Sequence, residues 1–125
     1  MQKREASFTT KFLSWAQKNM VAPAVFEIKS TRGRSVFPVF ELRKHQRNAL
    51  MAAKNGCFTY KIPDSALGYK PFDATLYGNM EAYVVVEYPK HAFVIPIDVI
   101  PTTGSMTVEK ARSIASLELT ASLMK

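Results

Sequence analysis

The sequence has few of the residues that build covalent or metal-held scaffolds. It contains 1 cysteine and 2 histidines among 125 residues. An internal disulfide is therefore impossible, and a structural zinc site, which takes about four Cys or His ligands, is excluded. No stretch approaches the roughly 18 consecutive apolar residues of a membrane span. No apolar run follows the basic residues at the start, so no signal peptide is expected. We therefore expect a soluble, cytoplasmic protein with no membrane partner.

The composition is that of a small globular protein. Hydrophobic residues make up 47% of the chain and charged residues 22%, which is close to the globular average. No repeat, low-complexity tract or long linker divides residues 1–125. We therefore predict a single domain around one hydrophobic core, which excludes a large multidomain enzyme. No glycine-rich phosphate-binding pattern is present, so a nucleotide-driven mechanism is not expected.

The positive charge is concentrated in one segment. The chain has 17 basic and 10 acidic residues, a net charge of +7. Residues 28–61 contain eight bases and one acid, Glu41, and so carry the net charge of the whole chain. A polyanion is the expected partner, because each neutralised phosphate releases counterions. Nucleic acid is favoured over a membrane surface, since no strongly apolar helix face accompanies the charge. The alternative is a basic face that only keeps the protein soluble.

Hydrophobic periodicity and turn residues predict an α/β fold with a small mixed β-sheet flanked by helices. Gly78 and Asn79 suggest a tight turn between two strands, and Pro96 favours an edge strand or a bulge. The predicted elements are a helix from Ser7 to Asn19, a strand over 24–31, a helix over 41–55, a strand over 57–62, a hairpin of strands 70–77 and 82–88, a strand over 93–100, and a helix over 108–124.

The first predicted strand places an acid and a base on one face. Residues two apart in a strand project to the same side, so Glu27 and Lys29 point together while Phe26 and Ile28 face the core. The carboxylate can bind a divalent metal, and the ammonium can polarise a water molecule or stabilise negative charge on a phosphate. The plainer interpretation is an ordinary ion pair on an exposed strand.

The helix predicted over 41–55 adds polar candidates. Gln46 lies one turn beyond Leu42 in the apolar stripe. Its amide needs a partner there, either core backbone or a group at the edge of a site, such as a metal-bound water. Arg43, Arg47 and Lys54 are predicted to share another face that can follow a phosphate backbone. The full set of candidate DNA-binding residues is Arg32, Arg34, Arg43, Lys44, Arg47 and Lys54.

The order Glu27-x-Lys29, then a helix carrying His45-Gln46 and a leucine four residues later, resembles the PD-(D/E)XK nuclease superfamily. Within that superfamily, the sequence resembles the small Holliday-junction resolvases of the RecU and archaeal type. The likeness continues through Lys61-Ile-Pro-Asp64 and Lys70-Pro-Phe-Asp73. The resemblance implies a restriction-endonuclease-like core and a Mg²⁺-dependent phosphodiesterase acting on DNA, with Mn²⁺ as the alternative ion. By position, the family's catalytic residues correspond to Glu27, Lys29, Gln46 and Asp73, and the candidate metal ligands are Glu27, Asp73, Asp64 and Glu87.

The motif order allows two assignments. In the usual family order the aspartate strand precedes Glu-x-Lys, whereas Asp73 follows Glu27, so the first assignment requires a permuted sheet. The second takes Asp73 with Glu87 and Lys90, in the usual order. Residues three apart on a strand face opposite sides unless a bulge intervenes, and no glutamine-bearing helix follows Lys90. Glu27 and Lys29 are therefore favoured, and Glu87 remains a candidate to complete their cluster.

These observations predict a metal-dependent endonuclease that cuts branched DNA, of the Holliday-junction resolvase type. In this hypothesis Glu27 and Asp73 hold Mg²⁺, Lys29 activates water or stabilises the phosphate, and Gln46 positions the water. Symmetric cleavage of a four-way junction needs two sites, so a homodimer is expected, with the last helix as candidate interface. The alternative is a non-catalytic DNA-binding module with a degenerate nuclease fold.

Overall fold

The computed structural model describes residues 3–20, 24–64, 69–78 and 80–120, and within these ranges the side chains of 3–6, 57–64, 69–74, 76 and 77 are outside the description. In chain order the elements are α1 (Lys3–Asn19), β1 (Ala24–Ser30), β2 (Val36–Pro38), a 3₁₀ helix (Val39–Glu41), α2 (Lys44–Lys54), β3 (Cys57–Asp64), β4 (Tyr69–Tyr77), β5 (Glu81–Tyr88), β6 (His91–Pro96), a second 3₁₀ helix (Ile97–Val99), β7 (Ser105–Thr107), α3 (Val108–Ile114) and β8 (Leu117–Thr120).

The central sheet has four strands in the order β1-β5-β6-β8. β1 is parallel to β5, whereas β5 and β6, and β6 and β8, are antiparallel. The predicted α/β fold with a small mixed sheet is therefore confirmed. Strands β2 and β7 form one separate two-stranded ribbon, and β3 and β4 form another. Because β1 is an edge strand of the central sheet, one of its long sides has no neighbouring strand among the described residues.

Helices cover both faces of the central sheet. On one face α1 packs through Phe12, which joins a buried cluster with Val85 of β5. On the other face α2 and α3 pack through Leu50 and Ala111, which join a second cluster with Val84 of β5. Alternate residues of β1 and β5 therefore point either towards α1 or towards α2 and α3. None of the described helices is long and apolar enough to cross a membrane.

The predicted hairpin between strands 70–77 and 82–88 is wrong. β4 pairs with β3, and β5 pairs with β1 and β6. The tight hairpin instead joins β5 to β6, where Tyr88 lies opposite His91 and the turn consists of Pro89 and Lys90. The physical reason is the continuous apolar run of β5. Such a strand is most stable in the interior of a sheet, with a neighbour on each edge and cover on both faces.

The helix predicted over 108–124 is also wrong beyond Ile114. There α3 ends, and Leu117–Thr120 form β8 beside β6. Leu119 is buried whereas Leu117 is 37% exposed, which is the alternation of a strand with one buried face. The helical stripe expected to form a dimer interface therefore does not continue past Ile114 in the described residues, and residues 121–125 lie outside them.

Three further boundaries differ from the predictions. The helix expected to begin near Ser7 begins at Lys3. The helix predicted over 41–55 begins at Lys44, because a 3₁₀ helix occupies Val39–Glu41. The strand predicted over 93–100 ends at Pro96, where the second 3₁₀ helix follows. β6 is an inner strand, so Pro96 is tolerated because it lies at the end of the strand, not at a sheet edge.

Tyr88 connects the β2–β7 ribbon to the central sheet, and its removal tests this connection. The Tyr88 hydroxyl donates a 2.7 Å hydrogen bond to the Met106 carbonyl, and burial raises the pKa of the phenol. We expect Tyr88→Phe to lower the free energy of unfolding by about 1–2 kcal/mol, because a buried hydrogen bond is lost. Tyr83→Phe is the matched control, since the Tyr83 hydroxyl makes an exposed 3.3 Å bond to Glu81. Urea denaturation measures both variants, and equal losses would contradict the expectation.

Candidate functional site

Glu27 and Lys29 lie side by side on β1. The Lys29 ammonium Nζ is 3.6 Å from the Glu27 carboxylate Oε1. Their side chains are 14% (Lys29) and 30% (Glu27) exposed, so both groups are half-buried yet reachable from solvent. The prediction that alternation brings these two groups to one face is confirmed. Their catalytic role stays a prediction.

The position of β1 explains why this pair is accessible. Phe26 and Ile28 pack against the cluster beneath α1, so Glu27 and Lys29 project to the other face, on the side of α2. Val25, on that same face, packs against the cluster shared with α2. The charged pair therefore lies on an edge strand, next to the apolar contact made by Val25, at the boundary between the core and solvent.

Glu87 lies on the opposite face from Glu27. It alternates with Val84 and Val86, which join the α2-side cluster, and shares the face of Val85, which joins the α1-side cluster. The Ser30 hydroxyl donates a 2.8 Å hydrogen bond to Glu87 Oε1. Glu87 therefore helps to anchor the end of β1, and the structure does not bring it beside the Glu27 carboxylate.

The alternative pair, Glu87 with Lys90, is not formed on a strand. β5 ends at Tyr88, and Lys90 is an exposed residue in the two-residue turn to β6. Its φ of 69° lies in the left-handed region. Glu87 accepts its hydrogen bond from Ser30 at the end of β1, and the choice between the two assignments stays a prediction.

The two candidate aspartates belong to the β3–β4 hairpin. In backbone register Asp73 lies opposite Lys61, and Asp64 lies opposite Tyr69 beyond an irregularity in the pairing. Their side chains are outside the described residues. Within the part of the chain whose side chains are described, no group of three or more His, Cys, Asp or Glu residues could hold a metal ion. Glu27 provides a carboxylate oxygen, the donor type that Mg²⁺ prefers.

Gln46 has a partner different from the one expected at a metal site. Its side-chain Oε1 accepts a 2.9 Å hydrogen bond from the backbone N–H of Arg43, which occupies the N-cap position of α2. This bond satisfies one of the N–H groups that a helix leaves unpaired at its start. The sequence predicts Gln46 one turn beyond Leu42, in the apolar stripe of a helix over 41–55, whereas in the structure it lies in the first turn of α2, which begins at Lys44. The amide therefore fixes the beginning of α2, which carries Arg43 and Lys44.

Three of the six basic candidates make intramolecular contacts. Arg34 donates 2.9 Å hydrogen bonds to the Thr31 carbonyl and to Glu41. Arg47 donates a 2.8 Å bond to the Pro101 carbonyl. Lys54 pairs with Asp98 at 2.8 Å and, mainly through this hydrogen bond, lowers the pKa of the aspartate. The predicted phosphate-following face of Arg43, Arg47 and Lys54 is therefore reduced, since two of its members contact the segment 97–101.

The other three basic candidates are Arg32, Arg43 and Lys44. Their side chains are exposed and form no ion pair with any residue in the described part of the chain. The Arg34–Glu41 ion pair joins the turn that holds Arg32 to the 3₁₀ helix just before Arg43. These three cations, which we call the basic edge, therefore lie on neighbouring segments.

The 3₁₀ helix beside the basic edge contains a feature that the sequence reading missed. Phe40 lies between the strand predicted over 24–31 and the helix predicted over 41–55, where no element is predicted, and its side chain is 78% exposed. The available signal was that Val39 and Leu42 are both apolar and can occupy the core positions of a single 3₁₀ turn, which leaves Phe40 on the outer side. In the structure Val39 and Leu42 are indeed buried.

Comparison with known proteins gives no match for this chain. No protein-family model matches it, no curated protein matches it, and no solved structure matches it.

Proposed function

We propose that this protein is a metal-dependent endonuclease acting on branched DNA, of the type that resolves four-way junctions. The observation that carries the proposal is the Glu27–Lys29 pair, 3.6 Å apart and half-buried on an edge strand. The basic edge supports it, because exposed unpaired cations attract a polyanion. The motif resemblance to the PD-(D/E)XK nucleases is the further support, and a restriction-endonuclease-like core belongs to the same proposal.

In this proposal Glu27 and Asp73 would hold Mg²⁺. The bound ion would supply a Lewis acid for the scissile phosphate and lower the pKa of a coordinated water. Lys29 donates to a phosphate oxygen and stabilises the negative charge that develops as water attacks. Its contact with Glu27 keeps the ammonium directed at the site before DNA binds. This orientation lowers the entropy lost on reaching the reactive geometry.

The remaining residues position the DNA. Arg32, Arg43 and Lys44 contact backbone phosphates, which fixes the duplex without reading its sequence. Gln46 acts indirectly, because its bond to the Arg43 backbone holds the start of α2 in place. Glu41 has a similar positioning role through its ion pair with Arg34.

Cleavage of defined DNA structures tests the proposal. Labelled four-way junction, flap, duplex and single-stranded DNA are incubated with the protein in Mg²⁺, with EDTA as the control. We expect Mg²⁺-dependent products from the branched substrates. Symmetric cuts across the junction need two sites, so light scattering should show a dimer on the junction. Binding without cleavage of any substrate in Mg²⁺ or Mn²⁺ would overturn the enzymatic proposal.

If the basic edge contacts phosphates, removing its three charges should weaken DNA binding and make that binding less dependent on salt. Replacing Arg32, Arg43 and Lys44 together with alanine should reduce the slope of log K against log[salt] by about 2–3, since each phosphate contact contributes about 0.9. The matched control replaces Lys11, Lys18 and Lys110, three exposed lysines outside the basic edge, and changes the net charge equally. Fluorescence anisotropy at several salt concentrations measures both variants. Equal slopes would show that net charge, and not this surface, determines binding.

A second function, a DNA-binding module without catalysis, is favoured by one observation. The side-chain oxygen of Gln46 accepts a hydrogen bond from the Arg43 backbone at the start of α2. This structural role accounts for Gln46 without a catalytic water, and a module without catalysis needs no glutamine to position water. This candidate predicts that Glu27→Gln leaves the affinity for junction DNA unchanged and that no substrate is cut. The nuclease proposal predicts the same affinity but Mg²⁺-dependent cutting by the unsubstituted protein, so the cleavage assay separates the two.

A further inference from the structure

The most exposed large hydrophobic side chain among the described residues is Phe40. It is 78% exposed, whereas Leu13 and Val99, the next two, are each 44% exposed. A phenyl ring left in water is unfavourable. A single exposed apolar residue can occur without a role, so the case for Phe40 depends on how it is held and on what surrounds it.

The backbone around Phe40 holds the ring outside the core. Val39 and Leu42 are 1% and 5% exposed, and each anchors one side of the turn. The Val39 N–H donates a 2.9 Å bond to the Gly104 carbonyl, and the Leu42 N–H donates a 3.0 Å bond to the Val39 carbonyl. Burial of the Phe40 ring would require these core residues to leave their positions. The exposure of Phe40 is therefore fixed by its element.

The surroundings of Phe40 carry positive charge. Arg43 and Lys44 follow it at the start of α2, and both are exposed. Its neighbour Glu41 pairs with Arg34, which brings the turn containing Arg32 close to the same 3₁₀ helix. An aromatic ring flanked by exposed cations fits a partner with an anionic backbone and flat π-faces. Such a partner is an unpaired segment of nucleic acid, where phosphates pair with the cations and bases stack on the ring.

We propose that Phe40 is a stacking platform for an unpaired base at the branch point of the DNA, an inference that rests on the proposed DNA-binding function. The phosphates next to that base lie on the basic edge. Paired duplex DNA offers its bases only within the stack, so Phe40 contributes little to duplex binding. This difference makes the protein prefer branched or partly single-stranded DNA to duplex.

The test compares two probes of the same sequence, a duplex with a single-stranded flap and the fully paired duplex. Loss of one base stack weakens binding by about 5- to 150-fold. Phe40→Ala should therefore bind the flap probe at least about fivefold more weakly and bind the duplex with nearly unchanged affinity. Phe40→Trp should restore the preference, and Phe40→Leu, which is apolar but has no π-face, should not. Leu13→Ala, on α1, is the control and should bind both probes like the unsubstituted protein.

A fluorescent base at the branch point gives an independent readout. With 2-aminopurine in the flap next to the junction, the unsubstituted protein should change the probe's emission on binding, and Phe40→Ala should not. If Phe40→Ala and Phe40→Leu bind the flap probe as tightly as the unsubstituted protein, the stacking role is overturned while cleavage activity can remain. If Phe40→Ala shows the selective loss but no variant cuts DNA, the nuclease proposal fails and the stacking role stands. Absence of any DNA binding would overturn both.

Discussion

Glu27→Gln should lower the rate of Mg²⁺-dependent junction cleavage by roughly 10²- to 10³-fold or more, the range seen when one preorganised electrostatic group is removed. The substitution keeps the shape of the side chain but removes the negative charge that would bind the metal. In the unsubstituted protein the Lys29 ammonium lies 3.6 Å from the Glu27 carboxylate, so the substitution also removes the anionic neighbour of Lys29. Affinity for DNA should not fall, because the change makes the site more positive.

The experiment is a single-turnover assay on a labelled four-way junction, with binding measured separately in Ca²⁺. Glu109→Gln is the matched control, since Glu109 is an exposed acid in α3 and the change in net charge is identical. Lys29→Met should give a loss of similar size if the ammonium stabilises the phosphate. A cleavage rate that survives Glu27→Gln would remove Glu27 from the catalytic centre. Thermal unfolding of each variant shows whether a loss of activity reflects a loss of fold.

Local patterns in the sequence were sufficient to predict the features that depend only on local geometry. The alternation Phe26-Glu27-Ile28-Lys29 requires no knowledge of the partner strand, and the structure confirms it with the 3.6 Å contact. The pairing of β5 was mispredicted because it depends on residues far apart in the chain. Here the missed signal was the run Val84-Val85-Val86, which is typical of an inner strand and not of an amphipathic hairpin.

The basic segment shows a different limit. The sequence locates the excess charge, but it does not show which cations already have partners. Arg47 and Lys54 contact Pro101 and Asp98, which lie far along the chain. Gln46 illustrates the same limit. Its amide was predicted to lie in the apolar stripe of a helix beginning at 41, but the helix begins at Lys44, so the amide hydrogen-bonds to the backbone at the helix start. Side-chain contacts between distant segments therefore decide which members of a charged set can bind a ligand.

The packing of α1 against the sheet leads to the largest expected loss of stability. Phe12 is 0% exposed. Its ring centroid lies 5.0 Å from that of Phe26 on β1, 6.0 Å from that of Trp15 and 6.4 Å from that of Phe8. Phe12 therefore joins the helix to the strand that carries Glu27 and Lys29. No other single side chain in the described part of α1 has ring contacts with three others.

Phe12→Ala should lower the free energy of unfolding by about 3–5 kcal/mol, because the substitution removes buried apolar area and leaves a cavity. A domain of this size has about 5–15 kcal/mol in total, so the variant should be close to the limit of folding. Leu13→Ala, at the adjacent and 44% exposed position, should change stability by no more than about 0.5 kcal/mol. Urea denaturation followed by the fluorescence of Trp15, the only tryptophan, measures both. If the two variants lose equal stability, α1 does not contribute to the core through Phe12.

Because β1 lies beneath this helix, a marginally stable Phe12→Ala variant should also lose cleavage activity at temperatures where the Leu13→Ala variant retains it.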